Sequence, residues 1–360
     1  MAKQTTTPGS KTGKSVRAVD IARLAGLSTS AVYMSLRDDP RMNLATRQRV
    51  RAVAEHLNYR PMAGARALAR GRTNTVGVVF ATTEMQTSSF WFGQYAGAIE
   101  AISEALDSHD YGMSLVTWSD EKEELHLPRL FREVGVDGFI ILNSPDTPAL
   151  ERILQRHGKP YMAMDAAPTD GRVAVAVDEL RAVELAVEHL IKLGHRRIAY
   201  APLADTLAPF VPLRQELFPR GYVRAMAAAG LAPLPGWDQP QEFTDFLAKS
   251  WSTPEPPTAL IAYDDTLALD AMRWFYERGI AVPNDVSVVA LQDNGFAAQG
   301  PTYLSPLPDI TCMTNMRARV ARLSVEKLLE FFEFPNDEVD SVLIPPILKI
   351  RRSSGPCPTG

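Results

Sequence analysis

The sequence predicts a small all-α head followed by a larger α/β domain, and two observations support this division. The first is charge: residues 1–72 carry 14 Lys and Arg against 4 Asp and Glu, a net charge of +10, whereas the remainder carries 24 basic and 38 acidic residues, a net charge of −14. The second is hydrophobic periodicity, which is helical up to about residue 60 and alternates between short apolar strands and helices from residue 75 onward. A length of 360 residues is enough for two or three domains.

Composition excludes several classes of protein. The 46% hydrophobic and 22% charged residues are typical of a globular protein, and no run of 18 apolar residues is present. Residues 1–14 are polar and lack an apolar signal core, so we expect a disordered arm and a cytoplasmic protein with no membrane partner. Cys312 and Cys357 are too few for a disulfide framework or a cysteine metal site; we expect a core thiol and a tail residue, with no metal and no cofactor.

The basic segment has the pattern of two short helices joined by a tight turn. Apolar residues recur at helical spacing over 18–25, Gly26 permits a sharp turn, and Ser28 can cap a second helix that runs to about Leu36. This places four side chains on the outer face of the second helix: Thr29, Ser30, Tyr33 and Met34. In a helix-turn-helix these are the positions that enter the major groove of DNA.

A third helix follows. The sequence Asp38-Asp39-Pro40 ends the second helix, and Asn43 is placed to cap the third, whose buried stripe includes Val50 and Leu57. We therefore assign residues 15–60 to a DNA-binding head. Its candidate DNA contacts are Arg17, Ser28, Thr29, Ser30, Tyr33, Met34, Asn43, Thr46, Arg47 and Tyr59.

The head and the segment after it resemble the lactose repressor (LacI) family of bacterial transcription regulators. The matching residues are Asp20-Ile21-Ala22, Ala25-Gly26-Leu27-Ser28, Val32, Thr46-Arg47-Gln48-Arg49-Val50, Asn58-Tyr59, Pro61 and Ala65-Arg66-Ala67-Leu68. The resemblance implies that residues 61–73 are a hinge that becomes helical only on operator DNA, where paired Leu68 side chains from two subunits enter the minor groove. The implied hinge contacts are Ala65, Arg66, Leu68 and Ala69.

The residues of the hinge fit that implication. Gly64 lowers helix propensity by about 1 kcal/mol relative to Ala, and a helix this short is marginal in water. Leu68 can instead be a linker residue that packs on the next domain. Met62 departs from the family, as do Tyr33 and Met34 at the base-reading positions. A symmetric homodimer requires a pseudo-palindromic operator, but because of these departures the sequence does not predict which bases the operator contains.

From residue 75 short apolar strands alternate with helices, which is typical of a parallel doubly wound sheet. A first unit is predicted with strands 76–80, 113–117, 138–142 and 161–165 and helices 92–107, 125–134 and 149–157. A second unit is predicted with strands 173–178, 198–200, 259–263 and 286–290 and helices 179–193, 222–229 and 266–278.

The resemblance extends into this domain through Leu193-Gly194-His195-Arg196-Arg197-Ile198-Ala199 and Val282-Pro283-Asn284-Asp285-Val286-Ser287-Val288-Val289. It implies a type I periplasmic-binding-protein fold of two Rossmann-like subdomains that bind an effector and dimerise, over residues 74–350. The expected N-subdomain is about 74–176 plus 302–335, the expected C-subdomain about 177–301 plus 336–350, and residues 351–360 are expected to be a tail.

The cleft between such subdomains is the expected effector site, because open α/β sheets bind ligands beyond the carboxyl ends of their strands. The candidates are the aromatic loop Phe90, Trp91 and Phe92, the strand-end carboxylates Asp165 and Asp264, and Arg214, Phe218, Arg220 and Gln292. Aromatic faces and carboxylates suit a sugar. Two alternatives stay open: the aromatics can anchor a loop in the core, and Asp264 or Asp265 can cap the following helix.

The function indicated is a homodimeric, ligand-controlled transcription regulator, a repressor rather than an activator, with a carbohydrate effector. No phosphate loop, dinucleotide fingerprint, nucleophile elbow or pair of His residues at metal-ligand spacing is present, so catalysis is not expected. The competing interpretation is a stand-alone sugar-binding protein. The basic head argues against that interpretation.

Overall fold

The computed structural model describes residues 18–36, 39–57, 59, 72–81, 89–118, 135–142, 148–166, 172–201, 212–236, 242–295, 309–335 and 339–358. The chain forms two compact units, Met1–Thr73 and Asn74–Gly360. The predicted arm, Arg17, the hinge contacts between residues 61 and 71 and the helix predicted for 125–134 lie outside the described residues. Of the described helices, none has the length and apolar composition needed to cross a bilayer.

The first unit contains three helices: α1 (Ala18–Ala25), α2 (Thr29–Leu36) and α3 (Leu44–His56). The predicted turn is confirmed, since Gly26 has φ +66° and the Leu27 N–H donates to the Ala22 carbonyl at 2.9 Å. The predicted Ser28 cap is also confirmed, because its hydroxyl accepts from the Ala31 N–H at 3.2 Å. The buried core comprises Ile21, Ala22, Ala25, Val32, Val50 and Ala54.

The second unit contains two sheets. Its strands are β1 (Thr75–Ala81), β2 (Gly112–Trp118), β3 (Gly138–Leu142), β4 (Tyr161–Met164), β5 (Ala174–Val177), β6 (Ile198–Tyr200), β7 (Ala259–Ala262), β8 (Ser287–Ala290), β9 (Thr311–Met313), β10 (Val342–Ile344) and β11 (Leu348–Lys349). Its helices are α4 (Ser89–Asp107), α5 (Pro148–Arg156), α6 (Glu179–Lys192), α7 (Pro212–Ala228), α8 (Phe243–Trp251), α9 (Asp265–Glu277) and α10 (Arg317–Glu333).

The first sheet has the order β10-β5-β4-β3-β1-β2, and all its strand pairs are parallel. Side chains of α4 and α10 pack on one face, and those of α5 pack on the other. The doubly wound arrangement predicted from the sequence is therefore confirmed. Helix α4 begins at Ser89, three residues before its predicted start.

The second sheet has the order β11-β9-β8-β7-β6, parallel except for the pairing of β11 with β9. Helices α6 and α7 cover one face, and α8 and α9 cover the other. Helix α7 begins ten residues earlier than predicted and contains Pro219. The predicted helix began only at Tyr222, after the proline-rich stretch that ends at Pro219, whereas the helix of the structure runs through this proline.

The predicted subdomain boundaries after residue 300 are wrong. Strand β9 belongs to the second sheet, so the chain returns to the first subdomain between β9 and α10 and not near Pro301. Strand β10 pairs with β5 in the first sheet, so the last crossing lies between β10 and β11 and not near Pro335. The family resemblance implied the earlier positions, whereas the pairing of the short strands Thr311–Met313 and Val342–Ile344 fixes the crossings in the structure.

The segment expected to be a tail is packed against the second sheet. Ser353 is wholly buried; its carbonyl accepts from the Val288 N–H at 2.7 Å, and its hydroxyl accepts from the Thr311 N–H at 2.8 Å. Further along, the Cys357 N–H donates to the Leu193 carbonyl at 2.8 Å. Residues 351–357 therefore form part of the second subdomain, because they satisfy backbone groups that would otherwise lack partners.

Helices α6 and α7 approach each other closely at Gly221. A Cβ atom on Gly221 would lie 2.9 Å from the Leu180 carbonyl oxygen and 2.9 Å from the Val183 Cβ. Gly97 on α4 offers a contrast, because a Cβ atom there would meet nothing within 4 Å.

We expect Gly221→Ala to lower the free energy of unfolding by about 2 kcal/mol, because the helices must separate. The matched change Gly97→Ala should raise it by about 0.5–1 kcal/mol, since Ala favours an exposed helix interior. Scanning calorimetry of both variants measures the difference. If both variants changed the free energy of unfolding in the same direction, the close approach of α6 and α7 at Gly221 would not be what determines the effect.

Candidate effector site and nucleic-acid interface

The outer face of α2 presents the candidate base-reading residues unequally. Thr29 and Ser30 are exposed, whereas Tyr33 and Met34 are half-buried. Burial raises the pKa of the Tyr59 phenol, and the neighbouring Tyr33, which hydrogen-bonds to it, raises it further. Tyr33 is thus engaged inside the head, which leaves Thr29 and Ser30 as the more accessible pair.

The start of α3 uses two candidate residues for its own stability. Asn43 is its N-cap, and the Asn43 Oδ1 accepts from the Thr46 N–H at 2.7 Å. The side chain of Arg47 is half-buried, while those of Arg49 and Arg51 are exposed. These arginines give the helix a cationic surface suited to phosphate.

A small cavity of about 30 Å³ lies between the two subdomains of the second unit. The first subdomain contributes Asp165, which directly follows β4, and Arg317 at the start of α10. The second contributes Glu179 on α6, Arg214 on α7 and Gln292 after β8. Several of these positions follow the carboxyl ends of strands, which is where open α/β sheets bind ligands.

An ion pair forms one wall of the cavity. Arg214 donates to the Glu179 Oε1 at 2.8 Å, and both side chains are at least nine-tenths buried. The Gln292 Nε2 donates to the Glu179 Oε2 at 3.3 Å. Burial raises the pKa of the Glu179 carboxyl, Arg214 opposes the shift, and nearby Asp165 adds to it. The wall therefore offers both hydrogen-bond donors and acceptors.

Asp165 has an unusual conformation and an unsatisfied oxygen. Its φ of +54° is uncommon for a residue other than glycine. The residue is 8% exposed, and its Oδ2 atom is buried without a hydrogen-bond partner in the described part of the chain. Backbone strain and an unpaired buried carboxylate oxygen both cost free energy, so their coincidence in a cavity indicates a ligand position.

Arg317 connects the subdomains. Its guanidinium lies 5.9 Å from the ring centroid of Tyr95 in the first subdomain and donates to the Asn294 Oδ1 of the second at 3.5 Å. The Asn294 Nδ2 donates in turn to the Asp264 Oδ2 at 2.9 Å. Rotation of one subdomain against the other would break or remake this series of contacts.

Asp264 is a helix cap, the alternative role foreseen from the sequence. Its carboxylate accepts from the Leu267 N–H at 2.8 Å and begins α9. Burial raises the pKa of Asp264 to about 6, and neighbouring Asp265 contributes to the rise. Asp264 is not among the residues that line the small cavity, although it bonds to Asn294 behind it.

The structure divides the other effector candidates. Asp165, Arg214 and Gln292 line the cavity. Phe218 does not: it is a wholly buried core residue, with its ring centroid 5.6 Å from that of Tyr263. Arg220 is exposed and pairs with Glu216 at 2.6 Å on the outer face of α7. The structure therefore does not bring these two residues to the small cavity: Phe218 lies one helical turn beyond Arg214 and is packed in the core, and Arg220 lies on the exposed side of α7.

The aromatic candidates are placed differently from the prediction. Phe90, Trp91 and Phe92 belong to the first turn of α4 and not to a loop before it. Their side chains lie outside the described part of the structure.

Sequence reasoning missed Glu179 and Arg317. Glu179 had a readable signal, because it begins a helix immediately after strand β5, at a strand end like Asp165. Arg317 had none, since the strand and helix on either side of it were not predicted. Among the described residues, no cluster of three or more His, Cys, Asp or Glu side chains is arranged to hold a metal ion.

Two family models match the chain in order. Residues 19–62 match the family described as bacterial regulatory proteins, lacI family, and residues 187–354 match a periplasmic binding protein-like domain. The chain belongs to the LacI family of bacterial regulatory proteins. The resemblance noted in the sequence is thereby confirmed, and this LacI-family protein is a DNA-binding transcription regulator with an effector domain.

Relatives match along nearly the whole length of this LacI-family chain. The ribose operon repressor of Escherichia coli (strain K12) is 29% identical over 347 residues, which cover 93% of this chain and 98% of the relative. The HTH-type transcriptional repressor PurR of Vibrio parahaemolyticus is 29% identical over 345 residues, 93% of this chain and 97% of the relative.

A crystal structure of the Lac repressor dimer, bound to operator and the anti-inducer ONPF, has the same fold. Its TM-score is 0.76 at 22% identity, over 95% of this chain and 100% of that one.

Stability should depend on pH through Asp264. Because its folded pKa of about 6 exceeds the value of 3.8 for a free Asp, the folded state keeps its proton longer, and stability is lost as pH rises from about 4 through 6. Replacement by Asn removes this loss. The free energy of unfolding of Asp264→Asn, taken relative to that of the wild type, should therefore rise by about 2–3 kcal/mol between pH 4 and pH 7. Any cost of the substitution that does not depend on pH cancels in this comparison.

Calorimetric melting temperatures at four pH values measure this gain. Asp270→Asn, on the exposed side of the same helix, is the matched control and should show a flat difference. If the difference in melting temperature between Asp264→Asn and the wild type also did not change with pH, the fold would not raise the pKa of this carboxyl.

Proposed function

We propose that this LacI-family regulator is a homodimeric, non-catalytic repressor whose operator affinity is set by a polyhydroxylated small molecule, a carbohydrate, bound between the subdomains of the effector domain. The observation that carries the effector site is the buried, unpaired carboxylate oxygen of Asp165 in a cavity lined by both subdomains. A repressor that binds bacterial operator DNA works in the cytoplasm.

The chemistry of the cavity favours hydroxyl groups. A hydroxyl both donates and accepts, and the cavity supplies the acceptors Asp165 and Glu179 beside the donors Arg214 and Gln292. A hydroxyl that donates to Asp165 would satisfy the unpaired oxygen. The relative named a ribose operon repressor is consistent with a sugar, which is a dense set of such hydroxyls.

The size of the cavity supports coupling between binding and movement. A volume of about 30 Å³ holds a water and not a sugar ring, so the subdomains must separate or rotate to admit one. Arg317 and Asn294 join the subdomains and would be rearranged by that rotation. Effector binding thus has different free energies in the two arrangements, which is what a switch requires.

The output of the switch is the affinity for operator DNA. The hinge at residues 61–73 links the effector domain to the head, and Ala65, Arg66, Leu68 and Ala69 are its proposed DNA contacts. A differential of about 3 kcal/mol between the two arrangements would change operator affinity more than 100-fold.

The effector site is tested with Asp165→Asn. Thermal shift with a panel of mono- and disaccharides, including ribose and cellobiose, first identifies a sugar that stabilises the wild type. We expect Asp165→Asn to bind that sugar at least tenfold more weakly, because a charged acceptor is lost, while the ligand-free protein melts no lower than wild type. Asn tolerates the same positive φ, so the backbone is unchanged.

Two controls accompany this variant. Asp110→Asn is matched for conformation, since Asp110 has φ +60° on an exposed turn, and it should bind as wild type does. Arg220→Ala on the outer face of α7 should also have no effect. If Asp165→Asn melted lower and bound the sugar unchanged, its carboxylate would be structural.

The head is tested on a duplex selected from a random library by the wild-type protein. We expect Ser30→Ala to weaken binding about fivefold to tenfold at every salt concentration, through the loss of a base contact. Arg47→Gln should weaken it and reduce the slope of log affinity against log salt by about 1, through the loss of a phosphate contact.

Arg224→Gln is the control, since Arg224 is an exposed arginine of the effector domain, and it should not change binding. Failure of the wild type to select any sequence would instead favour a stand-alone sugar-binding protein.

A further inference from the structure

The second subdomain contains another cavity, much larger than the first, which the proposed switch does not use. Its volume is about 590 Å³, within the range of small-molecule sites. Arg197, which immediately precedes β6, and Pro257, two residues before β7, line it. It therefore lies at the amino ends of these strands, on the opposite edge of the sheet from the effector cavity.

The floor of this second cavity is apolar and rigid. Its apolar lining residues are Leu234, Pro235, Phe246, Pro254 and Pro257. Phe246 is 2% exposed and belongs to the core between α8, α9 and the sheet, so its position is fixed. Prolines have few conformations to lose on binding, so this surface is preorganised for a flat or ring-shaped apolar group.

The rim of the second cavity is cationic. Among the described lining residues Arg197 and Lys249 outnumber the carboxylate Glu255, within a part of the chain that carries a net charge of −14 after residue 72. The Arg197 Nε donates to the Pro256 carbonyl at 3.1 Å, and its guanidinium also pairs with Glu255. Glu255 is 82% exposed, so an incoming anion can displace it and take the same partner.

We propose that the second cavity binds an organic monoanion with an apolar ring, such as an aromatic carboxylate or sulfonate. The ring would lie on the proline and phenylalanine floor, and the anionic group would pair with Arg197 and Lys249. Such a ligand differs in charge and polarity from the polyhydroxylated effector, so the domain carries two sites of different chemistry. The inference is independent of the proposed function.

The probe for this site is 8-anilinonaphthalene-1-sulfonate, whose fluorescence rises when it binds an apolar surface. We expect saturable binding of one probe per chain. Ser250→Phe, which fills the cavity from α8, should weaken binding at least tenfold, and Lys249→Glu should weaken it about fivefold. Probe binding is measured well below the melting temperature of each variant, so that the signal comes from the native protein.

The controls separate this site from others. Lys192→Glu is matched to Lys249→Glu, since both lysines are exposed in the last turn of a helix of the same subdomain, and it should leave the affinity within twofold of wild type. Asp165→Asn in the effector cavity should also leave it unchanged. Wild-type affinity in both Ser250→Phe and Lys249→Glu, or loss of probe binding in Asp165→Asn, would overturn the proposal.

Discussion

The ion pair of Arg214 with Glu179 is the interaction on which the effector domain depends. Two charged side chains are buried where the subdomains meet, and burial removes most of their hydration. Each charge is tolerated only because the other is within 2.8 Å and because Gln292 supplies a further bond. A boundary built in this way is sensitive to any polar molecule that enters it, which suits a domain that must change with its ligand.

Much of this fold is readable from local sequence, because its early elements are governed by short-range rules. The turn at Gly26, the caps at Ser28 and Asn43, and the apolar strands up to β8 were all predicted at or near their true bounds. The later strands were not, because β9, β10 and β11 are two or three residues long and no predicted helix adjoins them, whereas the equally short β6 follows the predicted helix 179–193. Strands that short are specified by the neighbours they pair with, which a sequence pattern does not contain.

The site was readable in part for the same reason. Asp165 and Gln292 follow strands, so the rule that ligands bind at carboxyl ends finds them. Phe218 and Arg220 lie away from the cavity, because α7 extends back to Pro212 and its first turns, which include Arg214, reach the cavity before Phe218 and Arg220 do. Arg317 lay beyond prediction because it comes from a helix that only the tertiary return of the chain brings to the cavity.

The packing of the last residues has a consequence for synthesis of the protein. The head core comes from one contiguous stretch, so it can assemble while the rest of the chain is still being made. The first sheet is complete only after β10 has been synthesised. The second is complete only after β11 and Ser353, whose carbonyl and hydroxyl accept hydrogen bonds from β8 and β9. A nascent chain thus presents a folded head before either subdomain is complete, and the second subdomain is completed only once residues 348–353 have been synthesised.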